Sequence, residues 1–519
     1  MSDRARRWWA VLGLLVVAVV VFRLARTMQE NGHGWGDDFA MYINQARGLV
    51  DGSADEVVAT NRFALDNSAY RFGPVAYPWG FPALLAPIVM ISGIDYSALK
   101  LVGTLSLVGA VLLYFALLEP RLEPWESVIA VALVALNSWY LAWTDMVLSD
   151  LPFLCSLLLS LYLLDRLVRG DRLLTAPTLT LTVVGVMFAL SFHIRREALV
   201  LLFALAAAQC ARLVTGSDRI QAIRRNARAL LTPYLTFAAV AGVIHFIRPA
   251  AVISRDLGET GWHNVGFNVD FYRNPLAEML GLKDAGPTEI TLFGRPGLGT
   301  AMLAVVLALS AVGVLGTVVR HLRRDLHLVA AFVGLALTVL AQPFREGRYL
   351  YSIVPLLIYF AFQGGRAVLA ALPSRRSVAR AVRLTVPSAL MLVLLASVTS
   401  DTLHALEYHR VYEYTHWGPE APESQALFAT IEQLTDERDV IVFHQARTMA
   451  LSTRRRAIQG NSVSMMLERG DWYAMVKNSD YIQTPLTDEG AAELGFVKVW
   501  ENSAYVLWEI PDRQVVPGA

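Results

Sequence analysis

The sequence predicts a mainly α protein, a polytopic bundle of about eleven transmembrane helices with a small extracytoplasmic α/β domain at its C-terminus. Three observations carry this reading. Of 519 residues, 55% are hydrophobic and the mean hydropathy is +0.44; a soluble globular chain holds about 45–50% apolar residues even with Gly counted. The apolar residues gather in runs of about 16–22, the length that spans a bilayer core. Beyond Ser400 the hydropathy falls, and short β-branched and aromatic runs replace the long ones.

The net charge of +1 leaves no footprint for nucleic acid. The basic residues form short clusters between apolar runs, where topology explains them. Cys155 and Cys210 both fall inside apolar runs, which argues against a disulfide framework and against a cysteine-ligated metal.

The chain opens with Arg4, Arg6 and Arg7 followed by the apolar run Trp8 to Phe22. Arg23-Leu24-Ala25-Arg26 stands where a signal peptide would carry a small-residue cleavage site. The segment therefore reads as an uncleaved signal anchor with its N-terminus in the cytoplasm. The first span, Trp8 to Leu24, leads into a polar outer loop, 26–78, that holds the pair Asp37-Asp38. The loop ends in Tyr77-Pro78-Trp79-Gly80-Phe81-Pro82-Ala83-Leu84-Leu85-Ala86-Pro87. Prolines so closely spaced fit a short helix lying at the interface better than an interior span.

Further spans are expected at 96–118, 126–143, 151–168, 175–193, 197–214, 229–247, 298–319, 328–343, 349–369 and 384–400. With the N-terminus inside, the clusters Arg166/Arg169/Arg172, Arg212/Arg219/Arg224/Arg225/Arg228, Arg320/Arg323/Arg324 and Arg375/Arg376/Arg380/Arg383 all fall on the cytoplasmic side. The loop 26–78, the turn 143–151, the long loop 249–297 and everything after residue 400 fall on the other. This requires that the proline-rich segment does not cross.

Two basic patches oppose that bias, His193-Ile194-Arg195-Arg196-Glu197 and Phe344-Arg345-Glu346-Gly347-Arg348-Tyr349, both at outer span ends. Arginines at a membrane rim either pair with a neighbouring acid, here Glu197 or Glu346, or bind something anionic. The loop 249–297 is rich in aromatic and polar residues and is long enough to act as a lid or to pack passively. The C-terminal domain, 401–519, follows the transmembrane module, 1–400. Strands are expected at Asp439–Phe443, Tyr481–Gln483, Phe496–Trp500 and Tyr505–Glu509, with helices at Ala446–Ser452 and 462–468. No Gly-rich phosphate fingerprint follows the first strand, which argues against nucleotide binding there.

Transfer of a sugar from a polyprenyl phosphate passes through an oxocarbenium-like transition state. The leaving phosphate needs charge stabilisation rather than an acid, so one carboxylate suffices, as general base toward the acceptor hydroxyl. Guanidinium groups suit the phosphate because their planar fork forms bidentate, charge-assisted bonds. The predicted outer face carries Asp37, Asp38, Asp145, Asp150, Arg195, Arg196, Arg345 and Arg348 together with Trp79, Tyr77, Trp139, Tyr140 and Trp143.

Asp37-Asp38-Phe39-Ala40-Met41-Tyr42 resembles the Asp-Glu/Asp-x-x-x-Tyr motif in the first outer loop of GT-C glycosyltransferases, the relatives of protein O-mannosyltransferases and of the lipid A aminoarabinose transferase. Tyr77-Pro78-Trp79-Gly80-Phe81-Pro82 resembles their Pro-Pro-Gly/Leu segment, with Trp79 in place of the second proline. Ser149-Asp150-Leu151-Pro152-Phe153 resembles their Ser-Glu-x-Pro-Phe element, with Asp for Glu, and Arg348-Tyr349-Leu350 with Pro355 their Arg-Tyr-Leu-x-Pro stretch. The tail from Asp439 through Arg447 to Thr453-Arg454 is similar to the outer domain of bacterial members.

The resemblance implies a GT-C-type enzyme of a bacterial inner membrane that moves a sugar from a polyprenyl-phosphate donor to an envelope acceptor hydroxyl. It implies Asp37 as general base, Asp38 orienting acceptor or sugar, and Asp150 lining the site from the second outer loop. Arg348 and Arg345 would hold the lipid phosphate with help from Arg195 or Arg196, and Tyr42, Tyr77 and Tyr349 would line the substrate. No cofactor is required on this reading, although Asp37, Asp38 and Asp150 offer oxygens suited to a divalent metal. The alternative is a transporter, flippase or polymerase-like ligase for lipid-linked saccharides. That class is expected to carry charges at mid-membrane depth and broken helices in related halves.

Overall fold

In the computed structural model, residues 3–214, 219–250, 261–286, 289–371, 376–412, 415–477, 481 and 483–511 are described. Among them, 8 helices are long and apolar enough to cross a membrane: Tyr96–Leu118, Asp150–Arg169, Arg196–Val214, Ile223–Ile247, Pro296–Arg320, Leu322–Ala341, Val354–Ala371 and Ala389–Tyr412. A further crossing is made if Pro124–Ala135 and Ser138–Asp145, bent by 47°, form one span. The N-terminal helix Asp3–Thr27 and the shorter apolar helix Thr178–Ile194 fall on the other expected spans. The proline-rich segment forms a short apolar helix, Gly80–Ser92.

The bend has a local cause. Asn137 caps the second half, its Oδ1 accepting from the Trp139 N–H at 3.0 Å, while its Nδ2 donates to the Met279 carbonyl at 2.7 Å. Capping competes with continuation of the helix.

Helix contacts inside the bundle rely on small residues, as van der Waals packing in lipid demands. A Cβ on Gly313 would lie 1.9 Å from the Phe360 carbonyl oxygen, and one on Gly364 would lie 1.8 Å from that of Leu309. Pro296–Arg320 and Val354–Ala371 therefore cross backbone to backbone. Ser310 adds a hydrogen bond to the Leu357 carbonyl at 2.9 Å.

The central helix Asp150–Arg169 is buried along most of its length. At its C-terminal end, Arg121 binds Asp165 and reaches Asp325 at 2.8 Å, and Arg169 meets Asp165 at 2.6 Å. This buried network ties spans together roughly 22 Å, about four helical turns, from the helix's other end, where Asp150 stands.

The long loop contains the helix Val265–Met279 and a hairpin of β1 (Lys283–Gly286) and β2 (Glu289–Thr291); its residues 251–260 lie outside the described set. At the C-terminus, β3 (Val440–Val442), β4 (Arg456–Ile458), β5 (Trp472–Val476), β6 (Val497–Glu501) and β7 (Tyr505–Glu509) form one sheet in the order β4-β3-β5-β7-β6. β3 runs parallel to β4 and β5, and β7 runs antiparallel to β5 and β6. Helices Pro422–Leu434, Ala446–Thr453 and Val463–Arg469 cover it.

The expected strand at 481–483 differs: Tyr481 and Gln483 carry no strand, and Ile482 lies outside the described residues. Instead Gln483 ties its amide to the edge of β5, accepting from the Val476 N–H at 3.1 Å and donating to its carbonyl at 2.7 Å.

Candidate active site

Each site residue sits where regular structure begins or breaks. Asp38 opens the helix Asp38–Asp51, and Asp150 opens Asp150–Arg169 behind the N-cap Ser149. Acids are favoured at those termini by the helix dipole. Pro152 falls in the first turn, where its missing N–H costs nothing. Arg195 follows the last turn of Thr178–Ile194 in extended conformation, before the 3-10 turn Arg196–Leu199. Arg348 lies in another 3-10 turn, Gly347–Leu350, leading into Val354–Ala371. That entry is fixed by two buried tyrosines: Tyr140 donates to the Tyr351 carbonyl at 2.9 Å and Tyr114 to the Pro355 carbonyl at 2.6 Å.

Arg348 is the hub. It donates to Asp38 Oδ2 at 3.0 Å and lies 3.9 Å from Asp150 and 3.8 Å from Glu346. Its Nε is buried with no hydrogen-bond partner. Arg195 is more fully engaged, pairing with Asp150 at 2.6 Å and Glu197 at 2.9 Å. Both guanidinium groups lie over the Tyr349 ring, at 5.4 Å for Arg195 and 5.7 Å for Arg348. Burial works against their charge, but the surrounding carboxylates outweigh it and hold both firmly protonated.

On the other side of Asp38, Tyr77 donates its hydroxyl to Asp38 Oδ1. Tyr42 packs on Tyr77 with ring centroids 4.5 Å apart, and its hydroxyl meets Ser149 Oγ at 3.1 Å. The motifs of the first and second loops and of the 344–349 patch thus converge. Arg345 turns to the long loop, binding Asn268 at 2.8 Å over the Phe267 ring, and Arg196 stacks on Phe192 at 4.3 Å.

Asp37 faces elsewhere. It occupies the N-cap position of its own helix but makes no cap hydrogen bond there. Its Oδ1 accepts from the Arg447 backbone N–H at 2.9 Å and its Oδ2 from the Gln459 amide at 2.5 Å, so it reaches across to the C-terminal sheet. Arg447 also sends its buried guanidinium to Asn61 at 2.8 Å, to the Pro74 carbonyl at 2.7 Å and to the Tyr77 hydroxyl at 3.4 Å, with Asp38 at 3.9 Å. Arg447 and Gln459 were not singled out as site residues by sequence, because no local pattern links positions some four hundred residues apart.

The two aspartates titrate differently. Burial raises Asp37 to about 7, with Arg447 pulling it only partly back. Burial would raise Asp38 too, but Arg348, Tyr77 and Arg447 overcome it and hold Asp38 below its ordinary value. Asp37 is therefore poised to exchange a proton near neutrality, and Asp38 stays ionised.

The carboxylates Asp37, Asp38 and Asp150 each accept from N–H, hydroxyl or guanidinium donors of the protein. Among the described residues, the group whose ligand atoms lie within 4.8 Å of one another is Glu30, Asp145 and His416. There the Lys100 ammonium already stands 2.6 Å from Asp145, and it also donates to the Glu30 carbonyl at 2.9 Å. The cluster reads as an ion-pair lock between the first loop, the second loop and residues near 416.

No protein-family model and no curated protein matches the sequence. Solved structures do match the fold. ArnT from Cupriavidus metallidurans bound to undecaprenyl phosphate is similar at a TM-score of 0.53 and 12% identity, over 96% of this chain and 97% of that one. Its apo state matches at 0.52 and 12%, over 97% and 98%. An Archaeoglobus fulgidus oligosaccharyltransferase tethered with an acceptor peptide matches at 0.50 and 11%, over 91% and 70%. The chain shares the fold of ArnT: a bundle of long apolar helices carrying a small C-terminal sheet.

Proposed function

We propose that the chain is a membrane glycosyltransferase that moves a sugar from a polyprenyl-phosphate donor to an acceptor hydroxyl on the outer face of a bacterial inner membrane. The observation that carries this reading is Arg348. It is a buried guanidinium bridging the acids of two loops, and its Nε makes no hydrogen bond, with Glu346 3.8 Å away. A phosphate offers what that N–H lacks, and charge-assisted bonds to it contribute about 1.5–3 kcal/mol each. The fold shared with ArnT, whose solved complex holds undecaprenyl phosphate, agrees with such a ligand.

The chemistry follows from the arrangement. Asp37 takes the proton of the acceptor hydroxyl. The oxygen forms a bond to the anomeric carbon as the bond from that carbon to the phosphate oxygen breaks. The electron pair leaves with the polyprenyl phosphate, whose charge Arg348 and Arg195 neutralise. An in-line displacement needs base and leaving group on opposite faces of the sugar. Arg348 meets one oxygen of Asp38, and Arg447, whose backbone N–H holds Asp37, lies 3.9 Å from the other; Asp38 remains ionised to stabilise the oxocarbenium-like sugar. The sugar arrives on its lipid carrier, and Tyr42, Tyr77 and Tyr349 line it. Arg345 and Arg196 serve as a second line of positive charge at the rim.

The test is binding of undecaprenyl phosphate to detergent-purified protein, followed by native mass spectrometry. Arg348→Ala is expected to weaken binding about ten- to hundredfold, and Arg196→Ala less than threefold. Equal binding by wild type and Arg348→Ala would contradict the assignment.

A further inference from the structure

Resting on that reading, we infer that Gln459 and Arg447 are positioning residues for the transfer, so that the C-terminal sheet forms one wall of the catalytic site. β3 and β4 run parallel and end side by side, with the Phe443 N–H bound to the Ile458 carbonyl at 2.9 Å. Gln459 immediately follows β4, and the helix Ala446–Thr453 follows β3. In open parallel sheets the carboxyl ends of strands and the helix N-terminus beyond them form the place where anions and ligands bind. Here that place is taken by the chain's own Asp37. One oxygen meets the N–H of Arg447 in the first turn of the helix, and the other meets the amide of Gln459.

The two loops are stitched around this contact. The Ala69 N–H donates to the Gln459 carbonyl at 2.9 Å, and the Gln459 N–H to Ser68 Oγ at 2.9 Å. Thr448 Oγ1 donates to the Gly36 carbonyl at 2.6 Å, beside the Asp pair. The Arg47 guanidinium reaches the Leu451 carbonyl at 3.2 Å. Gln459 and Arg447 are both almost fully buried, at 3% and 2% exposure. With both oxygens of Asp37 engaged, its remaining lone pairs have a fixed direction, and a proton acceptor aimed in this way reacts faster than one free to rotate. Arg447 also joins the two carboxylates: its backbone holds Asp37, and its side chain holds Tyr77, the donor to Asp38.

The test compares wild type, Asp37→Asn, Gln459→Leu and Gln459→Glu, each full-length and monodisperse. The probes are undecaprenyl phosphate carrying glucose, mannose, galactose or arabinose, with an envelope fraction as acceptor. Gln459→Leu keeps the shape and removes the donor; Gln459→Glu keeps the length and turns the donor into an acceptor. Both are expected to lower kcat about 10- to 100-fold, the scale of a small misplacement of a reacting group, while KM for the donor stays within twofold because the Arg348 end is untouched. A merely structural role would move neither parameter in the folded variants, or both together. Wild-type kcat in both Gln459 variants, with Asp37→Asn inactive, would overturn this inference and leave the base assignment standing. Full activity in Asp37→Asn, or no release by wild type from any donor, would overturn the reading beneath it.

Discussion

At the scale of the residue, adjacent aspartates with opposite electrostatic fates carry the account. Asp38 is held ionised between Arg348 and Tyr77, whereas Asp37 is lifted to about 7 by burial against the C-terminal sheet. Catalysis by Asp37 as a base requires its ionised form, so kcat/KM should rise with pH through about 7 and level off above it. The same shift has a stability consequence of opposite sign. A carboxyl whose folded value lies above its unfolded one contributes stability below the unfolded value and loses that contribution as pH rises through the folded value. Wild type should therefore lose stability as pH rises from about 4 to about 7, and the inactive Asp37→Asn, with no group titrating at that position, should lack this dependence; a melting series across that range reads it directly. Most members of the candidate cluster were legible at this scale. Asp37, Asp38, Asp150, Arg348, Tyr42 and Tyr77 belong to short motifs, and Arg195 stands against the topological charge bias. The direction of each side chain was not legible. Nothing local distinguishes Arg195, which turns to Asp150, from Arg196, which stacks on Phe192, because a break in the helix between them sends the two side chains apart.

At the scale of the element, the long apolar runs fixed the spans because hydropathy over some twenty residues is a strong signal. The short strands β4 and β5 were missed: three to five residues with no alternation give the periodicity little to work on. The glycines that let two spans touch were equally silent in sequence. Gly313 and Gly364 each face a partner carbonyl closer than any Cβ tolerates. Gly313→Leu must push Pro296–Arg320 away from Val354–Ala371, at a cost at or above the ~1–3 kcal/mol of ordinary overpacking. A drop in thermal stability in detergent, accompanied by weaker binding of undecaprenyl phosphate, is expected, since Val354–Ala371 carries the turn that presents Arg348. Unchanged melting would mean that the two helices do not cross there.

At the scale of the whole molecule, the charge pattern and the seam define how the protein works as one body. The basic clusters predict that the ends of spans near Arg172 face the cytoplasm and that the C-terminal sheet faces outward. After replacement of Cys155 and Cys210 by serine, a cysteine at exposed Asp488 should react with an impermeant maleimide in intact cells. One at exposed Arg172 should react only after lysis. Labelling of both from outside would break the topology. Given that orientation, the sheet closes over the first loop, the bundle supplies the arginines, and the transfer we propose takes place where they meet. The most direct measurement of this claim is release of undecaprenyl phosphate, followed by mass spectrometry, from purified wild type and Asp37→Asn given the same lipid-linked sugars and envelope acceptor. The account predicts release by wild type and at least a hundredfold less by a folded Asp37→Asn, about the span that general-base catalysis contributes. Equal release by both, or binding of the lipid-linked sugar by wild type without any cleavage, would contradict it.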